Sequence, residues 1–243
     1  MASQTRRTTL HLSILIFLFV GVPVFGFTPD WDYITFSQGW PQTRCIEQNV
    51  TGEHECAIPK NVNTWIIHGV WPSKSGTPKG PENCNQSYPF NPSEIQDLLP
   101  RMKISWPNLF TDSKVDSFWE HEWTTHGTCA TNVAEMSNEH KYFNKGLQLG
   151  SKYNLLNLLQ VGGVSPDDQP YKLQTIVSVI EKQLQVSVRA QCFWNKYEHK
   201  LYIGEIHVCL SKNFMLIDCP SDEYLRFEEC SFKEDIFYPE IVH

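Results

Sequence analysis

Two short segments that contain histidine carry the residue types needed for proton-transfer chemistry. The first, Ile67–Pro72, reads Ile-His-Gly-Val-Trp-Pro, and the second, Phe118–Cys129, reads Phe-Trp-Glu-His-Glu-Trp-Thr-Thr-His-Gly-Thr-Cys. Together they supply His68 and His126 as two imidazoles, a third imidazole, a carboxylate and a tryptophan that can stack on a nucleobase. An imidazole pair can take a proton from one atom while it delivers a proton to another. These are the groups that metal-free cleavage of RNA requires.

The spacing within the second segment argues against a zinc site. Zinc peptidases with the pattern His-Glu-x-x-His need both imidazoles on one helix face. We expect a helix over residues 116–125, which Gly127 ends in the left-handed conformation. On it Glu122 and His126 share a face, whereas His121 is rotated away from His126, because five residues advance an α-helix by roughly 140° beyond a full turn. We therefore predict no metal and no other cofactor.

The N-terminal segment differs in character from the rest of the chain. Of the 243 residues, 41% are hydrophobic, which is enough for one sizeable core. Arg6 and Arg7 precede the apolar run Leu12–Val20, and small residues follow up to Gly26. That pattern predicts a signal peptide over residues 1–26, since the run is too short and too early to span a membrane. The mature chain then enters the secretory pathway without a membrane anchor.

The cysteines support this assignment. An even number in a secretory chain indicates four disulfides, and no pair has the Cys-x-x-Cys spacing typical of zinc or redox sites. Asn49 and Asn85 begin glycosylation sequons, which we expect in surface loops. The eight cysteines are Cys45, Cys56, Cys84, Cys129, Cys192, Cys209, Cys219 and Cys230.

The charge of the chain restricts its partners. The net charge of −7 becomes about −9 when Arg6 and Arg7 are removed with the signal peptide. An acidic protein is a poor general binder of nucleic acid, because neutralisation of phosphate governs that affinity. Histidines begin to charge as the pH falls through ~6.5, so an acidic compartment would favour an RNA substrate.

Strand and helix patterns interleave irregularly and indicate one α+β domain with a mainly antiparallel sheet and several helices. Trp119 and Trp123 are expected to anchor the second histidine segment in the core. The predicted strands are Tyr33–Phe36, Thr64–His68, Val186–Cys192, Leu201–Leu210 and Phe214–Asp218, and helical spacing covers Ile95–Met102 and Leu173–Leu184.

Both histidine segments, in this order and among eight cysteines, resemble the ribonuclease T2 family of acid, secretory endoribonucleases, and its animal branch in particular. The resemblance extends from Gly39–Pro41 through Cys84–Asn91 to Phe237–Pro239. It implies an α+β catalytic domain over residues 27–243. It also implies a monomer that cleaves single-stranded RNA, not DNA, by transphosphorylation through a 2′,3′-cyclic phosphate, with an acid pH optimum.

The resemblance also implies roles for individual side chains. His126 is the general base and His68 the general acid. Glu122 holds and polarises this pair or stabilises the pentacovalent species, and His121 contacts phosphate. For Trp71 two interpretations remain open, stacking on a nucleobase or simple core packing. The implied disulfides are Cys45–Cys56, Cys84–Cys129, Cys192–Cys230 and Cys209–Cys219.

Other residues that could bind RNA have no motif around them. Lys74 and Lys79 follow the first segment in a loop, where they contact phosphates or, in the simpler interpretation, solvent. The remaining histidines of the mature chain are predicted at surface or structural positions; they are His54, His140, His199, His207 and His243.

Two departures from the family pattern leave other functions open. The residue before the second catalytic histidine is commonly lysine and here is Thr125; an acidic base-site group is often found where this chain has Ser73. The base preference, and the choice between secretion and an endolysosomal location, therefore stay open. The alternatives to an active ribonuclease are a secreted glycoprotein that signals or binds a partner with weak or no catalysis and, less favoured, a metal-dependent phosphoesterase.

Overall fold

The computed structural model of the protein describes residues 30–77, 80–167, 169–220, 230 and 235–243. The predicted signal peptide and Lys79 lie outside these residues. The helices are α1 (Pro41–Thr51), α2 (Leu99–Ser105), α3 (Ser117–His121), α4 (Glu139–Lys152), α5 (Leu155–Val161) and α6 (Leu173–Leu184). The strands are β1 (Tyr33–Gly39), β2 (Ile66–Ser73), β3 (Pro170–Lys172), β4 (Arg189–Asn195), β5 (Lys200–Ser211) and β6 (Asp235–Phe237).

One twisted sheet forms the centre of the molecule. Its strand order is β2-β1-β5-β6-β3, and β4 pairs with β5 beside this path. Among the described strands, every pair is antiparallel except β5 with β6. The prediction of an α+β domain with a mainly antiparallel sheet is therefore confirmed.

Helix α4 packs against the sheet and holds β2 in place. Tyr142 of α4 is fully buried, and its hydroxyl donates a hydrogen bond to the carbonyl of Val70 at 3.1 Å. In α6 the predicted apolar stripe is buried along Leu173, Ile176 and Ile180. Because side chains on a strand alternate between faces, the packing of β2 on α4 turns its next residues toward the opposite face of the sheet.

All four implied disulfides are present, as Cys45–Cys56, Cys84–Cys129, Cys192–Cys230 and Cys209–Cys219. Among the described residues, no helix is both long and apolar enough to cross a membrane.

Two predicted elements differ in the structure. Phe214–Asp218 is not a strand: it makes a single isolated bridge, Leu210 to Leu216, and Phe214 has a positive φ of 59°. Its apolar pattern reflects Phe214 and Leu216 packing on the core within a tight reversal. The helix expected around Ile95–Met102 is divided into a 3₁₀ turn, Pro92–Ile95, and helix α2.

Candidate active site

The second histidine segment changes its helical type where the predicted catalytic residues lie. Helix α3 continues into a π turn over Glu122–His126 and then into a 3₁₀ turn over Gly127–Ala130. Gly127 has φ −60° and ψ −39°, so the prediction that it ends the helix in the left-handed conformation is wrong. A Cβ atom there would lie 2.4 Å from Cε3 of Trp123, which shows that the glycine is required for close packing.

The π turn brings His121 and His126 together. Its hydrogen bonds connect residues five apart, so such residues share a face. The two imidazole centroids are 5.9 Å apart, and potential ligand atoms of His121, Glu122 and His126 all lie within 4.8 Å of one another. The prediction that His121 is rotated away from His126 is therefore wrong. These three side chains are close enough to share one metal ion, so the spacing no longer argues against one.

His68 is aimed into the site by a bulge in β2. It lies between the strand pairs Ser37–Gly69 and Gln38–Ile67, where the register with β1 shifts. Bulges of this kind change the direction of a side chain and are frequent beside active sites. The carbonyl of His68 accepts a hydrogen bond from the Trp106 indole at 2.9 Å, which fixes the backbone at this point.

Two carboxylates flank the His68 imidazole. Its Nδ1 lies 2.6 Å from Oε1 of Glu205, and its Nε2 lies 3.9 Å from Oε1 of Glu122. Burial lowers the pKa of His68, but the charge and hydrogen bond of Glu205 and the charge of Glu122 outweigh it, so the pKa is raised above the ordinary value. His68 therefore keeps its proton to a higher pH than an ordinary histidine does.

Trp71 lies at the centre of the imidazoles. Its ring centroid is 4.9 Å from that of His68, 5.5 Å from that of His126 and 5.7 Å from that of His207. The indole N–H donates a hydrogen bond to Oε2 of Glu122 at 2.9 Å. Trp71 is half-buried and contacts the His68 and His126 imidazoles and the Glu122 carboxyl group.

Glu122 is a fully buried carboxyl group in this cluster. Burial raises its pKa to about 7, against the opposing effects of the His68 charge and the Trp71 hydrogen bond. Its Oε1 has no hydrogen-bond partner within the described part of the chain. Below pH 7 the group is mainly neutral, so it can donate a hydrogen bond as well as accept one.

His121 and Thr125 lie on the solvent side of the cluster. The Oγ1 of Thr125 lies 3.4 Å from Nδ1 of His121. Burial, followed by the positive charge of His68, lowers the pKa of His121, and the charge of Glu82 opposes them. The exposed position of His121 suits contact with a phosphate group.

Glu205 and His207 of β5 are part of the site, and no sequence motif pointed to them. Gly39 pairs with Glu205 and Ser37 with His207 across β1 and β5. His207 is buried, and its Nε2 lies 3.1 Å from Oε2 of Glu205. The one available signal was a charged residue inside the apolar strand pattern Leu201–Leu210.

The other candidates lie outside the cluster. His54 stacks on Phe110 with ring centroids 4.4 Å apart, and Nε2 of His140 lies 3.1 Å from Oδ2 of Asp97 at the surface. Lys74 forms an ion pair with Asp30, which supports the interpretation of a solvated loop.

The two glycosylation sequons lie in different local structures. Asn49 is exposed but lies in the last turn of α1, so the expectation of a loop is wrong there. Asn85 does lie in a loop, where its side chain accepts a hydrogen bond from the N–H of Ser87 at 2.9 Å.

A cavity of about 450 Å³ opens beside the imidazoles. Its lining includes the site residues His68, His121 and Glu205 and, among others, Asn108, Phe110 and Phe118. This volume is within the usual range for small-molecule sites, and its mixture of aromatic and amide groups suits a nucleobase.

The chain is similar in sequence to known proteins. The sequence model of the Ribonuclease T2 family matches residues 31–219. Ribonuclease Oy of Magallana gigas is 42% identical over 214 residues, which cover 87% of this chain and 98% of that protein. Ribonuclease T2 of Sus scrofa is 36% identical over 215 residues, which cover 86% and 98%.

Solved structures show the same fold. Human RNase T2 matches with a TM-score of 0.71 and 32% identity over 86% of this chain and 99% of that one. RNase NT, solved in complex with 5′-AMP, matches with a TM-score of 0.74 and 30% identity over 87% and 100%. The chain therefore belongs to the ribonuclease T2 family.

Proposed function

We propose that this member of the ribonuclease T2 family is an active endoribonuclease that cleaves single-stranded RNA by metal-free transphosphorylation. The observation that carries the proposal is the packing of His68 and His126 on the same indole ring, Trp71, beside a nucleotide-sized cavity. The ribose 2′-oxygen attacks phosphorus, the 5′-oxygen leaves, and a 2′,3′-cyclic phosphate forms. The protein acts as a monomer after its signal peptide, residues 1–26, is removed, and is secreted or endolysosomal.

The environment of His68 supports its role as the general acid. The charge and hydrogen bond of Glu205 favour the protonated form of His68, which suits a general acid that gives its proton to the leaving 5′-oxygen. His126 then takes the proton of the 2′-hydroxyl. His121, exposed beside His126, binds a phosphate oxygen.

Glu122 stabilises the transition state in its neutral form. Its pKa of about 7 keeps it protonated in an acidic compartment. The O–H can then donate to a phosphorane oxygen without placing a second negative charge beside it. A preorganised donor of this kind is the usual means of stabilising developing charge.

The test of this function is cleavage of RNA by the purified protein at pH ~5, with and without a chelator. Chelator-resistant cleavage that yields 2′,3′-cyclic phosphate ends is the expected result. Loss of cleavage with the chelator would instead support a metal-dependent phosphoesterase at His121, Glu122 and His126. No cleavage under either condition would support the secreted, non-catalytic glycoprotein.

The rate should depend on pH in a bell-shaped manner. As the pH falls, His126 gains a proton and can no longer act as a base. As it rises, His68 loses the proton it must donate and Glu122 ionises above its pKa of about 7. We expect a maximum between roughly pH 4.5 and 6.5. A profile of kcat/KM on a dinucleotide checks this, and a rate that rises steadily through pH 8 would contradict the paired imidazoles.

Thr125→Lys should make the enzyme faster. Thr125 offers a neutral hydroxyl beside His121, and a charged donor forms a hydrogen bond roughly twice as strong. At this half-open site the gain is on the order of 1–2 kcal/mol, about tenfold in kcat with little change in KM. Thr124→Lys, which places the same charge one residue away, is the matched control and should give no gain. An unchanged or lower kcat for Thr125→Lys would show that the threonine is already compensated.

A further inference from the structure

We propose that Glu205 is a positioning residue that orients His68 and keeps it protonated as the general acid, and that Ser37 and His207 hold Glu205 in place. This inference rests on the proposed ribonuclease function. Glu205 is on β5 and His68 is on β2, and β1 runs between these two strands.

The Glu205 carboxylate is the centre of a hydrogen-bond network. Its Oε1 is 2.6 Å from Nδ1 of His68. Its Oε2 accepts a hydrogen bond from the Ser37 hydroxyl at 2.6 Å and lies 3.1 Å from Nε2 of His207. With contacts on both oxygens, the carboxylate has one fixed orientation, which it imposes on the His68 ring.

The contact at Nδ1 decides which nitrogen of His68 faces the reaction. A ring nitrogen bonded to a carboxylate carries its proton there, which leaves the other nitrogen to exchange protons with substrate. Nε2 points toward Glu122, on the side of the Trp71 cluster. The proton donated to the leaving oxygen is therefore the one on Nε2.

Glu205, and not Glu122, carries the negative charge. Burial raises the pKa of Glu205, but the charge of His68 and the hydrogen bonds of His207 and His68 overcome it and hold the pKa well below the usual range. Within the described part of the chain, Glu122 accepts one hydrogen bond, from Trp71, and it is mainly neutral below pH 7. In the acid range His68 thus forms one ion pair, with Glu205.

Among the described residues, positively charged groups near His68 act on its pKa in the opposite direction to Glu205. The guanidinium of Arg44, on α1, lowers the pKa of His68. On α3 and the π turn, His121 and His126 lie within the same cluster, and a positive charge on either opposes a positive charge on His68. If the charge of Glu205 were removed, the main negative charge that opposes the effect of these cations on the pKa of His68 would be lost.

Glu205→Gln tests the charge with little change in shape. We expect kcat on a dinucleotide to fall about 10- to 100-fold at pH 6 with KM nearly unchanged, because a carboxylate that orients an imidazole typically has effects of this order or larger. The alkaline limb of the pH profile should move to lower pH by about one unit, since the pKa of His68 falls when its counterion is lost.

Two further variants separate charge from orientation. Glu205→Asp keeps the charge but withdraws it from Nδ1, so it should lower kcat while it retains more of the alkaline limb than Glu205→Gln does. Glu198→Gln is the matched control: it removes a carboxylate from the β4–β5 turn, where Glu198 accepts from Tyr202 and Asn195, and should leave the pH profile unchanged.

A measurement on the histidines themselves keeps this inference separate from the ribonuclease function. Titration of ¹⁵N-histidine-labelled protein by NMR should show a raised His68 pKa that falls in Glu205→Gln, whether or not RNA is cleaved. An inactive wild-type protein with this shift would refute the function and keep the Glu205–His68 pair. An active protein whose His68 titration and alkaline limb are unchanged in Glu205→Gln would overturn the role of Glu205.

If Glu205→Gln does not fold, Ser37→Ala replaces it as the test, because it removes one hydrogen-bond donor to Glu205 and no charge. It should shift the alkaline limb of the pH profile by a smaller amount. No shift would count against the network.

Discussion

His68→Phe and His126→Phe should each remove nearly all RNA cleavage while the fold is retained. A proton-transfer group contributes ~10²–10⁴-fold, and each variant removes one of the two. Phenylalanine preserves a planar ring against Trp71, whose centroid lies 4.9 Å from the His68 ring and 5.5 Å from the His126 ring. The measurements are kcat/KM on a dinucleotide and the near-ultraviolet circular dichroism spectrum.

The two variants should differ in stability. His68→Phe leaves the nearly buried charge of Glu205 without its cation, so it should unfold more easily than His126→Phe. His140→Phe replaces a surface histidine paired with Asp97 and serves as the control, with activity unchanged. Retention of more than about a tenth of wild-type activity by either catalytic variant would refute paired acid–base catalysis.

Gly69→Ala should damage both stability and catalysis. A Cβ atom at this position would lie 1.9 Å from Nε1 of Trp71 and 2.4 Å from Oε2 of Glu122. The added methyl group must therefore separate the indole from the carboxyl group, whose hydrogen bond is 2.9 Å long. Overpacking together with a broken buried hydrogen bond should lower the free energy of unfolding by about 2–4 kcal/mol.

The catalytic loss follows from the same displacement. A movement of about 1 Å in a positioning group can reduce the rate ~10²-fold, so we expect a decrease of that size in kcat. Gly39→Ala is the control for stability, because its Cβ would meet its nearest neighbours at an ordinary 3.8 Å. A Gly69→Ala protein with the melting temperature and kcat of the wild type would show that Trp71 and Glu122 can rearrange freely.

Much of the local structure could be predicted from short stretches of sequence. The stripe of α6 is buried as expected, because an apolar face at helical spacing has to pack against something. The strands around Tyr33 and Leu201 follow from β-branched and aromatic residues in short runs. The two histidine segments contain His68, Glu122 and His126, and the structure brings all three to the Trp71 indole.

The directions in which the side chains of the second histidine segment face could not be predicted from the periodicity of its sequence. Apolar spacing at Trp119 and Trp123 is compatible with an α-helix or with a π turn, since both bury the same two rings. The choice is made by packing: Gly127 lies tightly under Trp123, and the chain widens to a five-residue repeat before it. That widening brings His121 to the same face as His126.

The sequence alone thus determined which reactive side chains the two histidine segments contain. It also determined the order of these two segments along the chain. The tertiary structure decided which further groups join them. Glu205 reaches His68, and His207 reaches Glu205 and Trp71, only because β5 pairs with β1, and β1 with β2, in one register. Such pairings connect residues far apart in the chain, and their register depends on the burial of a whole sheet face, so no local pattern around Glu205 could reveal its partner.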